Sequence, residues 1–252
     1  MTAQRTRPGR LYVIPSLLGV APPANVLPRR TIAIASELTH FVVETPKIAR
    51  RFLKTLAPDR ALHSVEMAEL NEHTALSRIP ALLEPALKGR DVGLISDAGC
   101  PGVADPGAPL VAAAHRAGVE VVPLVGPSAV LLALMASGMN GQAFAFRGYL
   151  PAKPAARDDA LRALDRDAAA GITQIFIETP YRNEALITAV LSACRPALRF
   201  CVAVDLTLAT ERIVSLSVEA WRAAARAELG KRPAIFLIGA ENGAGATRRA
   251  SS

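Results

Sequence analysis

Two carboxylates and three glycines punctuate one short loop, Ser96-Asp97-Ala98-Gly99-Cys100-Pro101-Gly102-Val103-Ala104-Asp105-Pro106-Gly107. Val92, Leu94 and Ile95 lead into it as a short buried strand over 91–96, and Asp105 with Pro106 are placed to cap and open a helix reaching Ala117. A glycine- and proline-rich loop at the carboxyl end of a parallel strand, ahead of a helix, is where open α/β sheets take their ligands. The loop is therefore read first as a ligand loop.

Other familiar chemistries lack their signatures. No GxGxxG follows a strand and no GxxxxGK[ST] is present, so neither a dinucleotide fold nor a triphosphate cradle is supported. His40, His63, His73 and His115 are scattered without HExxH spacing, and no GxSxG elbow occurs. The sequence shows neither a metal site nor a hydrolase triad.

The elements that must position the loop alternate along the chain. Strands are expected at Leu11–Pro15, His40–Glu44, residues 64–70, 91–96 and Val119–Pro123, with helices at Val26–Leu38, from Pro46 past Lys54, at 74–88 and from Pro106 to Ala117. In the helix after Pro46, Ile48, Phe52, Leu53 and Leu56 share one face while Lys47, Arg50, Arg51 and Lys54 fill the rest. A second series follows Gly126. It holds helices at Ser128–Ser137, 155–169, Pro180–Cys194 and Val218–Ala227, and strands at Ala143–Phe146, Thr173–Glu178, Phe200–Leu206, Glu211–Ser217 and Ala234–Gly239. Alternation throughout gives an α/β protein; two successive strands with no room for a helix make the second sheet mixed. The domains are placed at 11–123 and 127–240, with 1–10 and 241–252 as tails.

Composition sets the class. The chain has 252 residues, 51% of them hydrophobic but only 4% aromatic, so its core is built from Ala, Val, Leu and Ile. Cys100, Cys194 and Cys201 form no CxxC pair, which argues against a disulfide framework and a zinc site and for a reducing, cytoplasmic setting. Of the formal charge of +7, residues 1–10 carry +3 through Arg5, Arg7 and Arg10; residues 241–252 carry +1, leaving +3 for 11–240. Basic ends can draw in RNA at long range, or simply be solvated tails. The most apolar run, Val119–Met139, is broken by Pro123, Gly126 and Pro127 and holds Glu120, so it reads as strand, turn and buried helix and no membrane span is expected.

The motifs together resemble one family. The 96–107 loop is similar to the SDAGxPxxSDPG loop of the bacterial small-subunit ribosomal RNA ribose 2′-O-methyltransferases, a branch of the S-adenosylmethionine-dependent tetrapyrrole methylase superfamily. Val125-Gly126-Pro127-Ser128-Ala129 resembles their PGPSA loop, Ile177-Glu178-Thr179-Pro180-Tyr181-Arg182 their YESPHR segment, and Leu11-Tyr12-Val13-Ile14-Pro15 their first strand. The likeness runs over residues 11–240. It implies a parallel-sheet N-terminal domain, a mixed-sheet C-terminal domain, S-adenosylmethionine in a cleft between them, and a homodimer.

The resemblance also implies where the cofactor would lie: Pro15, Asp97, Ala98, Gly99, Val103, Ala104, Ser128 and Ala129, with Ile177, Glu178, Leu206, Pro233 and Ala234. Asp97 could hold a polar group of the cofactor or accept loop amides, Ser128 could touch it or cap a helix, and Gly99 and Gly102 would let backbone come close. Because the donor methyl is already activated, transfer needs positioning more than a metal. Glu44 and Glu178 are candidate general bases for an acceptor hydroxyl, and Lys47, Arg50, His73, Tyr181 and Arg182 candidate acceptor contacts. Each of the latter also has a plain reading as solvated or structural. Cys100 has no neighbour in sequence that would lower its pKa.

Departures fall on the acceptor side. Where those enzymes read TPIGN this chain has Ser16-Leu17-Leu18-Gly19-Val20; where they read EDTRHTRKLL it has Glu44-Thr45-Pro46-Lys47-Ile48-Ala49-Arg50-Arg51-Phe52-Leu53. It also runs only briefly past Gly239, where they carry a further helical segment. Such a paralogue leaves three readings open: an RNA ribose methyltransferase meeting ribosomal RNA or the small subunit, a methyltransferase for a tetrapyrrole-like small molecule, or a non-catalytic S-adenosylmethionine-binding protein.

Overall fold

The computed structural model describes residues 7–224 and 229–241. Residues 1–6 and 242–252, in the expected tails, and 225–228, where the last expected helix ends, lie outside the described residues. By internal contacts the chain divides into two units, Met1–Ser128 and Ala129–Ser252.

The first unit runs β1 (Arg10–Val13), α1 (Arg29–Glu37), β2 (His40–Val43), α2 (Pro46–Leu56), β3 (Glu66–Glu69), a 3-10 stretch (Leu76–Leu83) leading into α3 (Glu84–Leu87), β4 (Val92–Ile95), α4 (Ala108–Arg116) and β5 (Glu120–Pro123). Its five strands lie in the order β3-β2-β4-β1-β5, every pair parallel. β2 and β4 are buried at every position. They show no polar alternation because helices cover both faces of a parallel sheet. Leu11, Val42 and Leu94 pack with Leu83 and Leu110 on one face; Ile14, Phe41, Val43 and Ile95 pack with Phe52 and Leu53 of α2 on the other. Gly93 is required in β4, since a Cβ there would stand 2.7 Å from the Phe41 ring and 2.8 Å from Ile14 Cδ1.

Two expectations for this unit are corrected. Residues 74–88 do not form one α-helix: Pro80 lies inside the 3-10 stretch and Pro85 at the start of α3, and each lacks the N–H an α-helix would bond. Asp105 does not cap α4, which begins at Ala108 behind Gly107 without a side-chain cap.

The second unit runs α5 (Ala129–Ser137), β6 (Phe144–Tyr149), α6 (Pro154–Ala169), β7 (Thr173–Ile177), α7 (Asn183–Ala193), β8 (Arg199–Val204), β9 (Arg212–Ser217), α8 (Val218–Ala223) and β10 (Ala234–Gly239). The helix expected from Pro180 starts at Asn183, because Pro180–Arg182 form a 3-10 turn. The sheet, β6-β7-β10-β8-β9, is mixed: β6 and β7 pair parallel and the other pairs are antiparallel. Phe236 stacks with Phe176 and Phe200, at centroid distances of 6.0 and 6.3 Å, in the middle of the core.

Topology alone marks one end of the first sheet. β1 and β4 are neighbours; the chain leaves β1 toward β2 and β3 on one side, and leaves β4 toward β5 on the other. Neighbouring strands whose connections leave in opposite directions make a topological switch point, the place where open α/β sheets take their ligands.

Candidate functional site

At that switch point the loops after β1, β2 and β4 are tied together. Ile14 N donates to Leu94 O (2.9 Å) and Ser16 N to Gly99 O (2.8 Å), so the first loop lies along the 96–107 loop. Asp97 N donates to Glu44 Oε2 (3.0 Å), while the Asp97 carboxylate accepts from Thr45 N (3.1 Å) and Thr45 Oγ1 (2.7 Å). The two strand ends thus clasp each other. The Thr45 hydroxyl goes to Asp97, not to the first turn of α2. Asp97 takes up its loop-amide role, with Ala98 exposed and Gly99 buried beside it.

The rest of the loop is held by Asp105. Its Oδ1 accepts from Gly102 N (2.9 Å) and Gly107 N (2.7 Å), and its Oδ2 from Val103 N (3.1 Å). This staple holds Val103 and Ala104 outward: Val103 is 45% exposed, and Ala104 sits at φ +64°. A left-handed alanine costs of order 1–3 kcal/mol, and such strain concentrates at ligand-binding loops. Pro15 is held from behind by Gly126, where a Cβ would lie 2.4 Å from Pro15 Cβ. Cys100 Sγ donates to Pro127 O (3.4 Å), and burial together with the charge of Asp105 raises its pKa, so it is no nucleophile.

Glu44 is the perturbed acid of this cluster. Burial raises its pKa, and the negative charges of Asp97, Asp105 and Glu72 push it the same way against the stabilising Asp97 N–H. A carboxylate that holds its proton more tightly is a better base once ionised, and such shifts concentrate at working sites.

In the second unit the candidates meet at one end of the sheet. The carboxyl ends of β7 and β8 flank the amino end of β10, with Ile177 opposite Ile235 and Val204 opposite Ala234. Ile177, Glu178, Leu206, Pro233 and Ala234 therefore come together. The Glu178 side chain is fully buried, and its Oε1 accepts from Thr179 N (2.6 Å) and from Arg182 Nε (2.9 Å) and Nη2 (2.6 Å). Its Oε2 has no partner among the described residues. Arg182 is thus an internal counter-ion before it is anything else. Tyr181 is 77% exposed, with the Lys231 ammonium 5.1 Å from its ring centre.

Lys47 and Arg50 stand on the exposed side of α2, and the His73 side chain is exposed, 3.6 Å from Glu72. Ser128 and Ala129 are half-buried where the chain enters α5.

Some parts were not foreseen. Thr45, read only as part of an altered segment, anchors Asp97. After β8, Asp205 (φ +50°) and Thr207 (φ +73°) hold the loop beside Leu206 in a strained form. Asp205 Oδ2 accepts from Arg232 Nε (2.7 Å) and Thr210 Oγ1 (2.7 Å), and Thr207 N donates to Glu211 Oε2 (2.7 Å). Thr210 and Glu211 lie four to five residues along the same loop, whereas Arg232 is brought to Asp205 by the pairing of β8 with β10 and leaves no local signal. Among the described residues no group of three His, Cys, Asp or Glu side chains could hold a metal, and no helix is long and apolar enough to cross a membrane.

Comparison with known proteins matches residues 21–221 to a family model described as Tetrapyrrole (Corrin/Porphyrin) Methylases. A Vibrio cholerae protein named ribosomal RNA small subunit methyltransferase I is 36% identical over 185 residues, covering 72% of this chain and 60% of that protein. Its namesake from Xylella fastidiosa is 35% identical over 193 residues, covering 72% and 62%. The chain thus spans about three fifths of the length of these curated relatives. Among solved structures, uroporphyrin-III C-methyl transferase from Thermus thermophilus, complexed with S-adenosyl homocysteine, superposes with a TM-score of 0.56 at 21% identity, covering 92% of this chain and 97% of that one.

Proposed function

Because the chain belongs to the tetrapyrrole (corrin/porphyrin) methylase family, we propose that it is an S-adenosylmethionine-dependent methyltransferase whose acceptor is a ribose 2′-hydroxyl of ribosomal RNA. The observation that carries this reading is the clasp of Glu44, Thr45 and Asp97 at the switch point of the first sheet, set beside the strained, outward-facing Val103–Ala104 turn. The curated relatives bear the name of ribosomal RNA methyltransferases, which favours RNA as acceptor.

The residues fit such a cofactor. Its sulfonium is a cation, and the acidic side chains around Glu44 give this end of the sheet a negative field. The buried, unpartnered Glu178 Oε2 offers an acceptor for a hydroxyl or amine. When bound, the cofactor supplies an activated methyl group for in-line transfer. Pro15, Asp97 to Gly99, Val103 and Ala104 are the residues of the first unit assigned to hold it, and Ile177, Glu178, Leu206, Pro233 and Ala234 those of the second unit. Glu44 takes the proton from the acceptor hydroxyl. Lys47, Arg50, His73, Tyr181 and Arg182 are assigned to the acceptor side.

The enzyme would work in the cytoplasm, where ribosomal RNA is. It would pair as a homodimer: Met135 is 79% exposed on helix α5, apolar from Ala129 to Ala136, and sedimentation at the monomer mass would remove that part of the reading.

S-adenosylhomocysteine is expected to bind the purified protein, and one ribose methylation on ribosomal RNA is expected to vanish when the gene is deleted. Binding without any lost mark would leave the tetrapyrrole-like acceptor; binding without turnover on any acceptor would leave the non-catalytic reading, which the changed 44–53 segment favours.

A further inference from the structure

Within the first unit, a cavity of about 330 Å³ is lined by the 16–21 loop, by α2 and by Asp97 and Ala98. Leu17, Leu18, Ile48 and Phe52 give it apolar walls, and Arg51 is the cation that lines it. Ser16 lines it too, and is 3% exposed. Its hydroxyl has no hydrogen-bond partner among the described residues. A buried hydroxyl without a partner keeps its full desolvation penalty, so it is a group that a ligand would satisfy.

We propose that this cavity is a nucleobase pocket: the ring lies between the apolar side chains, its polar edge meets the Ser16 hydroxyl, and the adjoining phosphate meets the Arg51 guanidinium. The size lies at the lower end of small-molecule sites, which run from about 300 to 1,000 Å³. One guanidinium matches a single phosphodiester, whereas a macrocycle bearing several carboxylates would call for several cations. A base drawn from single-stranded RNA presents this combination of two apolar faces, one hydrogen-bonding edge and one anion.

The cavity is also coupled to the ligand loop. Ser16 N is bonded to Gly99 O, and a Cβ on Gly99 would come within 3.2 Å of Leu18 Cδ2. An occupant would therefore sit against the wall formed by Asp97 and Ala98, and its identity would be read by the side chains in which this chain departs from the TPIGN and EDTRHTRKLL wording. The inference rests on the RNA-acceptor reading, and it assigns the base-selecting part of that site to residues 16–20 and to Ile48, Arg51 and Phe52.

The test uses the full chain and the four nucleoside 5′-monophosphates, followed by saturation-transfer NMR, with S-adenosylhomocysteine titrated separately. Thr55 lines the cavity from the exposed side of α2, so Thr55→Trp obstructs it without altering the core. Ser16→Ala removes the unpartnered hydroxyl. At least one nucleotide is expected to bind, about tenfold more weakly to Ser16→Ala, the loss expected of one desolvated hydrogen bond. Thr55→Trp should abolish that binding, with S-adenosylhomocysteine affinity and melting temperature unchanged in both variants. Nucleotide binding unaffected by either variant would overturn the pocket, as would absence of nucleotide binding in a protein that binds S-adenosylhomocysteine. Loss of S-adenosylhomocysteine binding in Thr55→Trp would give the cavity to the cofactor and overturn it equally. Failure of both ligands to bind the unaltered chain would remove this proposal together with the methyltransferase reading.

Discussion

Glu44 carries the sharpest expectation for a single residue. Its carboxyl is raised by burial and by three negative neighbours, so in the proposed reaction turnover should climb with pH through a limb above the ordinary carboxylate range. Glu44→Gln should lower kcat by about 10²–10⁴ and flatten that limb; an unchanged pH profile would remove the base role. The sign for stability is the reverse. The folded state binds this proton more tightly than the unfolded chain does, so Glu44 destabilises the fold as pH rises through its raised pKa, and Glu44→Gln should be at least as stable as the parent at neutral pH. Glu178 differs because Arg182 compensates its burial. Arg182→Ala leaves a fully buried carboxylate without its cation and should shift urea denaturation by about 2–3 kcal/mol, somewhat less than for a wholly buried pair because Arg182 remains 37% exposed.

Among the elements, the loop after β4 is best tested at Asp105, whose carboxylate satisfies three backbone amides. Asp105→Ala should loosen residues 102–107 and weaken S-adenosylhomocysteine binding by about tenfold or more, with a stability loss of about 1–3 kcal/mol by thermal melting. Asp105→Asn keeps one acceptor oxygen and should recover part of both; equal binding in all three proteins would detach the loop from the cofactor. This loop also marks how far the sequence could be read. Turn residues after Val92–Ile95 suffice to predict a loop there, and hydrophobic runs bounded by Gly and Pro suffice for the strands and the mixed second sheet. Asp105 is a loop staple and not the expected helix cap, because Asp before Pro suits both equally and only the backbone path decides between them. Residues 74–88 differ from the expected α-helix for the opposite reason: apolar spacing suits a helix, and two missing proline N–H groups prevent it. Contacts made across the sheet, such as Thr45 with Asp97 and Arg232 with Asp205, join positions 52 and 27 residues apart and leave no local pattern.

For the molecule as a whole, the three thiols report on how its parts unfold. Burial pushes Cys194 up to about 12 and Cys201 up to about 11, and both side chains are hidden in the second unit. Cys194 packs into the core that α6, α7 and α8 form on one face of the sheet, whereas Cys201 lies outside that cluster, in a sheet that also contacts α5. Cys100, half-buried, belongs to the first unit, which has hydrophobic clusters of its own. Alkylation needs the thiolate and access to it, so none of the three should react readily near neutral pH in the native protein. In a urea series followed by mass spectrometry, Cys194 and Cys201 should become labelled at one shared midpoint, because the central strands β8 and β10 contribute to both faces and cannot open on one side alone. Cys100 should follow a midpoint of its own, as expected where separate clusters confer separate cooperativity. Earlier labelling of Cys201 than of Cys194 would mean that α5 opens without the rest of its unit. One midpoint for all three thiols would mean that the two units unfold as a single cooperative body.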